Sequence, residues 1–233
     1  SDIEGYDAMY KLSILSTLAF HTRVRTSDIY REGITNITPE DIAFGKELGY
    51  TLKLLAIAKK HENKIEARVH PTFISTEHPL ASVRDAYNAV FIKGDAVGNL
   101  MLYGRGAGDL PTGSAIVSDI VNACLHQSKH VYSTLCNGDW KPNEILFDNN
   151  WETEFFIRMT VKDKPGVLAR IAGIFGKYDV SISSVIQKGR NSNHVPIIFV
   201  THKAKEMSIK KAINEIKNED IAIKIGNVIR VEH

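Results

Sequence analysis

This 233-residue sequence opens on S-D-I-E-G-Y-D-A-M-Y-K, which sets Asp2, Gly5, Asp7 and Lys11 at fixed spacing and places an acid, Asp7, where it can exchange a proton with an amine, Lys11. Asp7 and Lys11 stand four apart and lead straight into the apolar run Leu12-Ser13-Ile14-Leu15-Ser16-Thr17-Leu18-Ala19-Phe20. On a helix of about 100° per residue, Asp7, Lys11, Ile14, Leu15 and Leu18 share one stripe. An acid and an amine in the stripe that ordinarily faces a core have a chemical use: a lysine held partly dry beside a carboxylate can give or take a proton. Gly5, just ahead, lets the backbone come close to another group. The same spacing is also that of a surface i,i+4 ion pair worth a few tenths of a kcal/mol, and both readings are open on the pair alone.

The elements that must position this pair follow from local pattern. After the first helix, Thr26-Ser27-Asp28 and the segment to Asn36 read as a connection. Thr38-Pro39-Glu40-Asp41 is a helix start, with Thr as N-cap, Pro at the first helical position and an acid at the capping-box position. Ile42, Leu48, Leu52, Leu55 and Ile57 recur at roughly helical spacing, so a helix is expected to about Lys60, and Gly45 and Gly49 suggest close packing of another element against it. Strands are expected at 65–70, 90–93 and 100–103, with 71–86 as a loop plus a short helix.

Gly104-Arg105-Gly106-Ala107-Gly108-Asp109-Leu110-Pro111-Thr112 then precedes a helical stretch from Ser114 to Gln127. Strand, glycine loop and helix is the layout that cradles phosphates at a helix N-terminus. The third fingerprint glycine and the later strand with a terminal acid are absent. The glycines therefore serve either a tight turn or the approach of a ligand or second subunit.

Residues 130–150 are rich in Asn, Asp, Gly and Pro and read as the end of a first domain and its linker. From Glu154 the texture changes. Strand 155–161, the turn Lys162–Gly166, an amphipathic helix on Val167, Leu168, Ile171, Ile174 and Phe175, strands 180–188 and 195–202, helix 207–217 and strand 221–231 make a βαββαβ, ferredoxin-like unit. The fold class is α+β: a helix-and-sheet domain over 1–150, followed by this unit over 151–233.

A net charge of +2 and the lack of a basic block argue against nucleic acid. No apolar stretch approaches the roughly 20 residues of a membrane span. Two cysteines, Cys124 and Cys136, form no ligand pattern and suit a reducing cytosol, hence a cytoplasmic protein. The nine histidines have no metal-ligand spacing, and no metal is assigned.

D-I-x-G-x-D-x-x-x-K at Asp2–Lys11 resembles the core of the homoserine dehydrogenase signature. The likeness continues through Leu48-Gly49-Tyr50-Thr51-Leu52-Lys53-Leu54-Leu55-Ala56 and through Tyr103–Gly108 with Pro111-Thr112-Gly113-Ser114-Ala115. Asp163-x-Pro165-Gly166-Val167-Leu168 is similar to the opening of an ACT domain, an amino-acid-sensing module. What the first resemblance implies is interconversion of L-homoserine and L-aspartate 4-semialdehyde with NADP or NAD, in threonine and methionine biosynthesis. By motif, Lys11 is implied as the proton-transferring residue, Asp7 as a substrate-binding acid beside it and Asp2 as a second substrate acid. Gly106 and Gly108 are implied as cofactor neighbours.

The family places a Rossmann domain, with another active-site lysine and a glutamate, ahead of this signature. The chain therefore resembles a truncated enzyme, expected to be inactive alone, whose cofactor is bound mainly elsewhere. The ACT resemblance implies an amino-acid effector, threonine first, at Asp163, Gly166, Val167 and Leu168. The turn Asp163–Gly166 opens a helix whose free N–H groups could take a carboxylate, while Asp163 and Pro165 equally serve to start that helix. A homodimer or higher homo-oligomer is expected. The rival reading is a non-catalytic amino-acid-binding regulatory or dimerisation protein.

Overall fold

The computed structural model describes residues 1–125, 146–187, 194–219 and 221–233. The expected linker falls largely outside them, as does Cys136. Two compact units form: Ser1–Ser75 together with Pro142–His233, and Thr76–Lys141.

Among the described residues, the first unit is built on a nine-stranded sheet. It begins with helix α1 (Tyr6–Phe20), a 3-10 turn at Thr26–Asp28 and the short strand β1 (Tyr30–Arg31). Helix α2 (Pro39–Glu47) starts as the sequence predicts: the Thr38 hydroxyl accepts from the Asp41 N–H, and the Asp41 carboxylate accepts from the Thr38 N–H. It does not run to Lys60. Leu48 caps it, Gly49 takes φ +80°, and the chain enters strand β2 (Tyr50–His61). Twelve consecutive pairings with strand β3 (Lys64–Ser75) outweigh the helical spacing of Leu52, Leu55 and Ile57. Gly45 is close-packed, since a Cβ there would lie 2.2 Å from the Phe73 ring, whereas Gly49 has open space and serves the left-handed turn.

Strand β3 also passes the expected loop at Pro71 and reaches Ser75. Pro71 sits at a hand-over: β1 pairs in parallel with Arg68 and Val69, and the last strand of the chain pairs with Thr72–Ile74. Beyond the short β6 (Leu146–Phe147) lie β7 (Glu152–Lys162), α4 (Val167–Lys177), β8 (Ile182–Gln187), β9 (His194–Thr201), the short β10 (Ala204–Lys205), α5 (Glu206–Asn218) and β11 (Ala222–Glu232). This is the predicted βαββαβ order, with β11-β7-β9-β8 as its antiparallel sheet. The pairing of β11 with β3 joins that sheet to the N-terminal strands.

Alternation along β7 sends Phe155, Ile157, Met159 and Val161 into a core under α4 and α5. Phe156 faces the opposite side, with Phe73, Ile198, Ile229 and Val231 near Phe44 and Leu48. Helix α1 lies on that side too, its Met9 and Leu12 packing with Ile65, Ala67 and Val69.

The second unit contains a 3-10 turn at Pro79–Ser82, the hairpin β4 (Tyr87–Gly94) and β5 (Gly98–Arg105), and helix α3 (Asp109–Leu125). Helix α3 buries none of its residues: Ile116, Val117, Ile120 and Val121 are all exposed.

Candidate functional site

The start of α1 is held by its backbone. Gly5 is the N-cap in the left-handed region at φ +76°, with its N–H on the Asp2 carbonyl at 3.0 Å, and the Tyr6 N–H reaches the Ser1 carbonyl at 2.9 Å. A Cβ on Gly5 would meet Val69 at 3.1 Å, so β3 lies directly beneath the turn. Across it, the Ile34 N–H donates to the Ile3 carbonyl at 2.9 Å, and Gly33 lies so near that a Cβ would come within 2.8 Å of Glu4 Cα. Arg31 donates to the Glu4 carbonyl and to the Tyr6 hydroxyl at 3.0 Å, and its guanidinium lies 3.8 Å from the centre of the Tyr6 ring.

Lys11 Nζ is 2.7 Å from Asp7 Oδ2. The stripe that carries them does not face the core. Helix α1 turns Met9, Leu12 and Ser16 inward, and Ile14, Leu15 and Leu18 are exposed alongside the half-exposed Asp7 and the mostly exposed Lys11. Position 9 and positions 12 and 16 match the apolar face of β3 at helical spacing, so the helix had two candidate faces and the sheet selects the other one. Asp2 is exposed and accepts a hydrogen bond from the Ser1 hydroxyl at 3.2 Å. A carboxylate paired to an accessible ammonium on an open apolar surface can bind a polar substrate and deliver a proton.

In the second unit, Gly106 backs onto Asn88, whose amide nitrogen would lie 1.4 Å from a Cβ, and Gly108 takes φ +125° beside Pro111. Both glycines thus meet demands of their own loop. The β4–β5 hairpin is antiparallel, so these described residues do not form the parallel βαβ unit that holds a dinucleotide.

At the ferredoxin-like unit, Gly166 caps α4 at φ +88° with open space beside it, and Val167 and Leu168 open the helix. Asp163 accepts from the Gln187 side chain at 3.2 Å, and Val167 packs on the core while Leu168 is exposed. Away from that helix start, along α5 and β11 of the same unit, an open cleft of about 380 Å³ is lined by Glu32, Glu206, Lys210, Asn214, Lys217 and Arg230 among others.

Sequence reasoning did not single out the buried polar face of β3. Glu66, Arg68, His70 and Thr72 alternate as a solvent face would, yet all are buried. Arg68 bridges Glu66 and Glu232, and Lys59 reaches Glu232 at 2.9 Å. Burial alone would raise the Glu232 carboxyl, but Arg68 and Lys59 outweigh it and hold it below the usual range. Burial, with Arg230 and Arg68 nearby, pushes His70 well below an ordinary histidine. Beside this row, Arg230 joins Glu206 at 2.6 Å to Glu32 and to the Tyr30 hydroxyl at 3.2 Å. The available signal was charge of both signs, at period two, in a strand beside apolar neighbours.

Helices lie on both faces of a shared sheet, with a βαββαβ unit in the C-terminal part of the chain and an acid–lysine pair on its first helix, the layout of an α+β protein with a ferredoxin-like module attached. The homoserine dehydrogenase family profile matches residues 1–121, and the ACT domain profile matches residues 155–220. The homoserine dehydrogenases of Corynebacterium glutamicum and Helicobacter pylori are each 38% identical across 100% of this chain, which covers 53% and 55% of their lengths. The crystal structure of a homoserine dehydrogenase from Thiobacillus denitrificans superposes with a TM-score of 0.88 at 38% identity, over 99% of this chain and 54% of that one. That of the S. aureus homoserine dehydrogenase gives 0.69 at 29% identity, over 100% and 54%. The chain belongs to the homoserine dehydrogenase family. It spans about half the length of the curated relatives it matches.

Proposed function

We infer that this chain supplies the substrate-binding and regulatory part of a homoserine dehydrogenase that interconverts L-homoserine and L-aspartate 4-semialdehyde, within threonine and methionine biosynthesis in the cytoplasm. The observation that carries the reading is the 2.7 Å Asp7–Lys11 pair on the exposed face of α1, inside the segment that matches the family. As the aldehyde carbon is reduced, its oxygen gains charge, and the Lys11 ammonium donates the proton there. Asp7 holds that ammonium in place and, with Asp2, meets the substrate's amino group. NADP or NAD supplies the hydride when bound, and is held mainly by the length of the relatives that this chain does not span. Gly106 and Gly108 are its neighbours in this reading, and the chain alone is inactive.

The regulatory domain covers residues 151–233 and the catalytic domain residues 1–150. Threonine is the effector, with its carboxylate at the Gly166–Leu168 helix start and its ammonium at Asp163. A homodimer or larger homo-oligomer covers the exposed apolar residues of α3, Ile116, Val117, Ile120 and Val121.

The test is an assay of the full-length protein with NADPH and NADH against aspartate semialdehyde and unrelated aldehydes, alongside calorimetry with threonine and other amino acids. Semialdehyde-dependent oxidation of the nucleotide supports the reading. Amino-acid binding without any such turnover supports the non-catalytic regulatory role instead.

A further inference from the structure

The segment Glu32-Gly33-Ile34 touches two things at once. Its backbone carries the acid-bearing turn: the Ile34 N–H holds the Ile3 carbonyl, and Gly33 is pressed against Glu4. Its own position is fixed by the Glu32 N–H donating to the Val69 carbonyl at 2.8 Å. On the other side, the Glu32 carboxylate pairs with Arg230 and accepts from the Tyr30 hydroxyl at 3.0 Å. Arg230 belongs to β11 and is buried; it also grips Glu206, the first residue of α5, at 2.6 Å. Lys210, one turn further along α5, reaches Glu206 at 3.2 Å.

We propose that Glu32 is a positioning residue through which Arg230 of the ACT unit holds the Asp2–Asp7 substrate turn in register. The chain of contact is short and made of discrete bonds: Glu206 to Arg230, Arg230 to Glu32, and the Glu32–Ile34 backbone to Ile3 and Glu4. A guanidinium shared between two carboxylates has a defined geometry that a point charge lacks. Any shift of the start of α5 therefore moves the fork at Arg230, and with it the strand end against which the substrate turn is built. Coupling of this kind is reciprocal, so loosening the turn should also loosen the start of α5. The proposal rests on the assignment of Asp2–Asp7 as a substrate turn for its meaning in catalysis, though not for its mechanical content.

Amide hydrogen exchange on the full-length protein separates the two. Glu32→Gln keeps the shape and the Tyr30 contact but removes the charge. It should speed exchange at the Gly5, Tyr6 and Ile34 amides about tenfold and leave α4 unchanged. Arg230→Lys should reproduce this, since a lysine cannot fork between Glu32 and Glu206. The double variant should then add little to either single one. Exchange at those three amides within twofold of the parent in both variants overturns the proposal. In the enzyme assay, Glu32→Gln should raise the KM for semialdehyde by more than it lowers kcat. If no semialdehyde is reduced by the parent protein, the proposed function fails while the exchange result still decides this inference.

Discussion

Arg158→Met is the most informative cut in the fold. Arg158 lies on β7, and its Nε donates to Asp41 Oδ1 at 2.6 Å, its Nη1 to Glu40 at 2.8 Å and its Nη2 to the Thr38 hydroxyl at 3.1 Å. One side chain of the ACT unit thus binds the whole N-terminal cap of α2. Methionine keeps most of the aliphatic stem and loses the guanidinium, leaving the fully buried Asp41 carboxylate without its cation. Breaking a buried pair costs about 3–5 kcal/mol. Asp41 keeps two hydrogen bonds from Thr38, at 3.0 and 2.7 Å, and one from Asn227 at 2.6 Å. That places the loss near the lower end, about 3 kcal/mol, and the largely exposed Glu40 adds under about 1 kcal/mol. For a chain of this size the melting temperature should fall by roughly 6–12 °C.

The pH dependence is a second handle on the same bond. Burial would raise the Asp41 carboxyl, but hydrogen bonds from Arg158, Thr38 and Asn227 outweigh it and lower it below the usual value. A lowered carboxylate stabilises the fold above its unfolded pKa of about 3.9, and that stabilisation is lost as pH falls through the folded value. Urea unfolding at pH 7 and at stepwise lower pH should therefore show a gap between parent and variant that narrows below about pH 4. A loss under about 1 kcal/mol at pH 7, or a gap that persists unchanged in acid, would refute the reasoning. Adding Asp41→Asn to Arg158→Met should recover part of the loss, because no charge is then stranded.

Three further outcomes follow from the buried polar row and the close contacts. His70 is depressed in the folded state, so the unfolded chain takes up its proton first, and stability should fall by about 1.4 kcal/mol per pH unit below about pH 6.5; His70→Asn should flatten that slope in denaturant titrations between pH 6.5 and 5. Gly45→Ala should gain about 1 kcal/mol of helix propensity, yet its Cβ lies 2.2 Å from the buried Phe73 ring. A net loss of about 1–2 kcal/mol is expected, and a stabilised variant in calorimetry would contradict the packing. Phe175→Ala, under the ACT helices with Phe199 5.3 Å away, should cost about 3–5 kcal/mol, and a loss below about 1.5 kcal/mol in urea unfolding would count against that core.

The parts of the fold legible in the sequence are those set by local physics. The Thr38 capping box is a reciprocal pair of hydrogen bonds within four residues, and it forms as read. The ACT unit is legible in its two amphipathic helices and in the apolar runs of β7 and β9, one face of which packs under those helices while the other is buried against Phe73, Ile229 and Val231. What sequence could not decide were questions answered by distant strands. Leu52, Leu55 and Ile57 fit a helix until β3 offers twelve partners. The stripe of Asp7 and Lys11 competes with that of Met9 and Leu12, and only β3 decides which is inward. Arg68 and His70 look like a wet face because their cover comes from Trp151, more than eighty residues away in sequence and 5.0 Å from the Arg68 guanidinium. The acid–lysine pair was legible as chemistry; its exposure was not.

Steady-state reduction of aspartate semialdehyde by the full-length protein, comparing Lys11→Ala with the parent, tests the central assignment most directly. With Lys11 as the proton donor, kcat should fall on the order of 10²–10⁴-fold while the melting temperature stays close to that of the parent, since Lys11 is exposed and its ion pair contributes little to stability. An unchanged kcat would contradict the account and leave the Asp7–Lys11 pair as a surface ion pair.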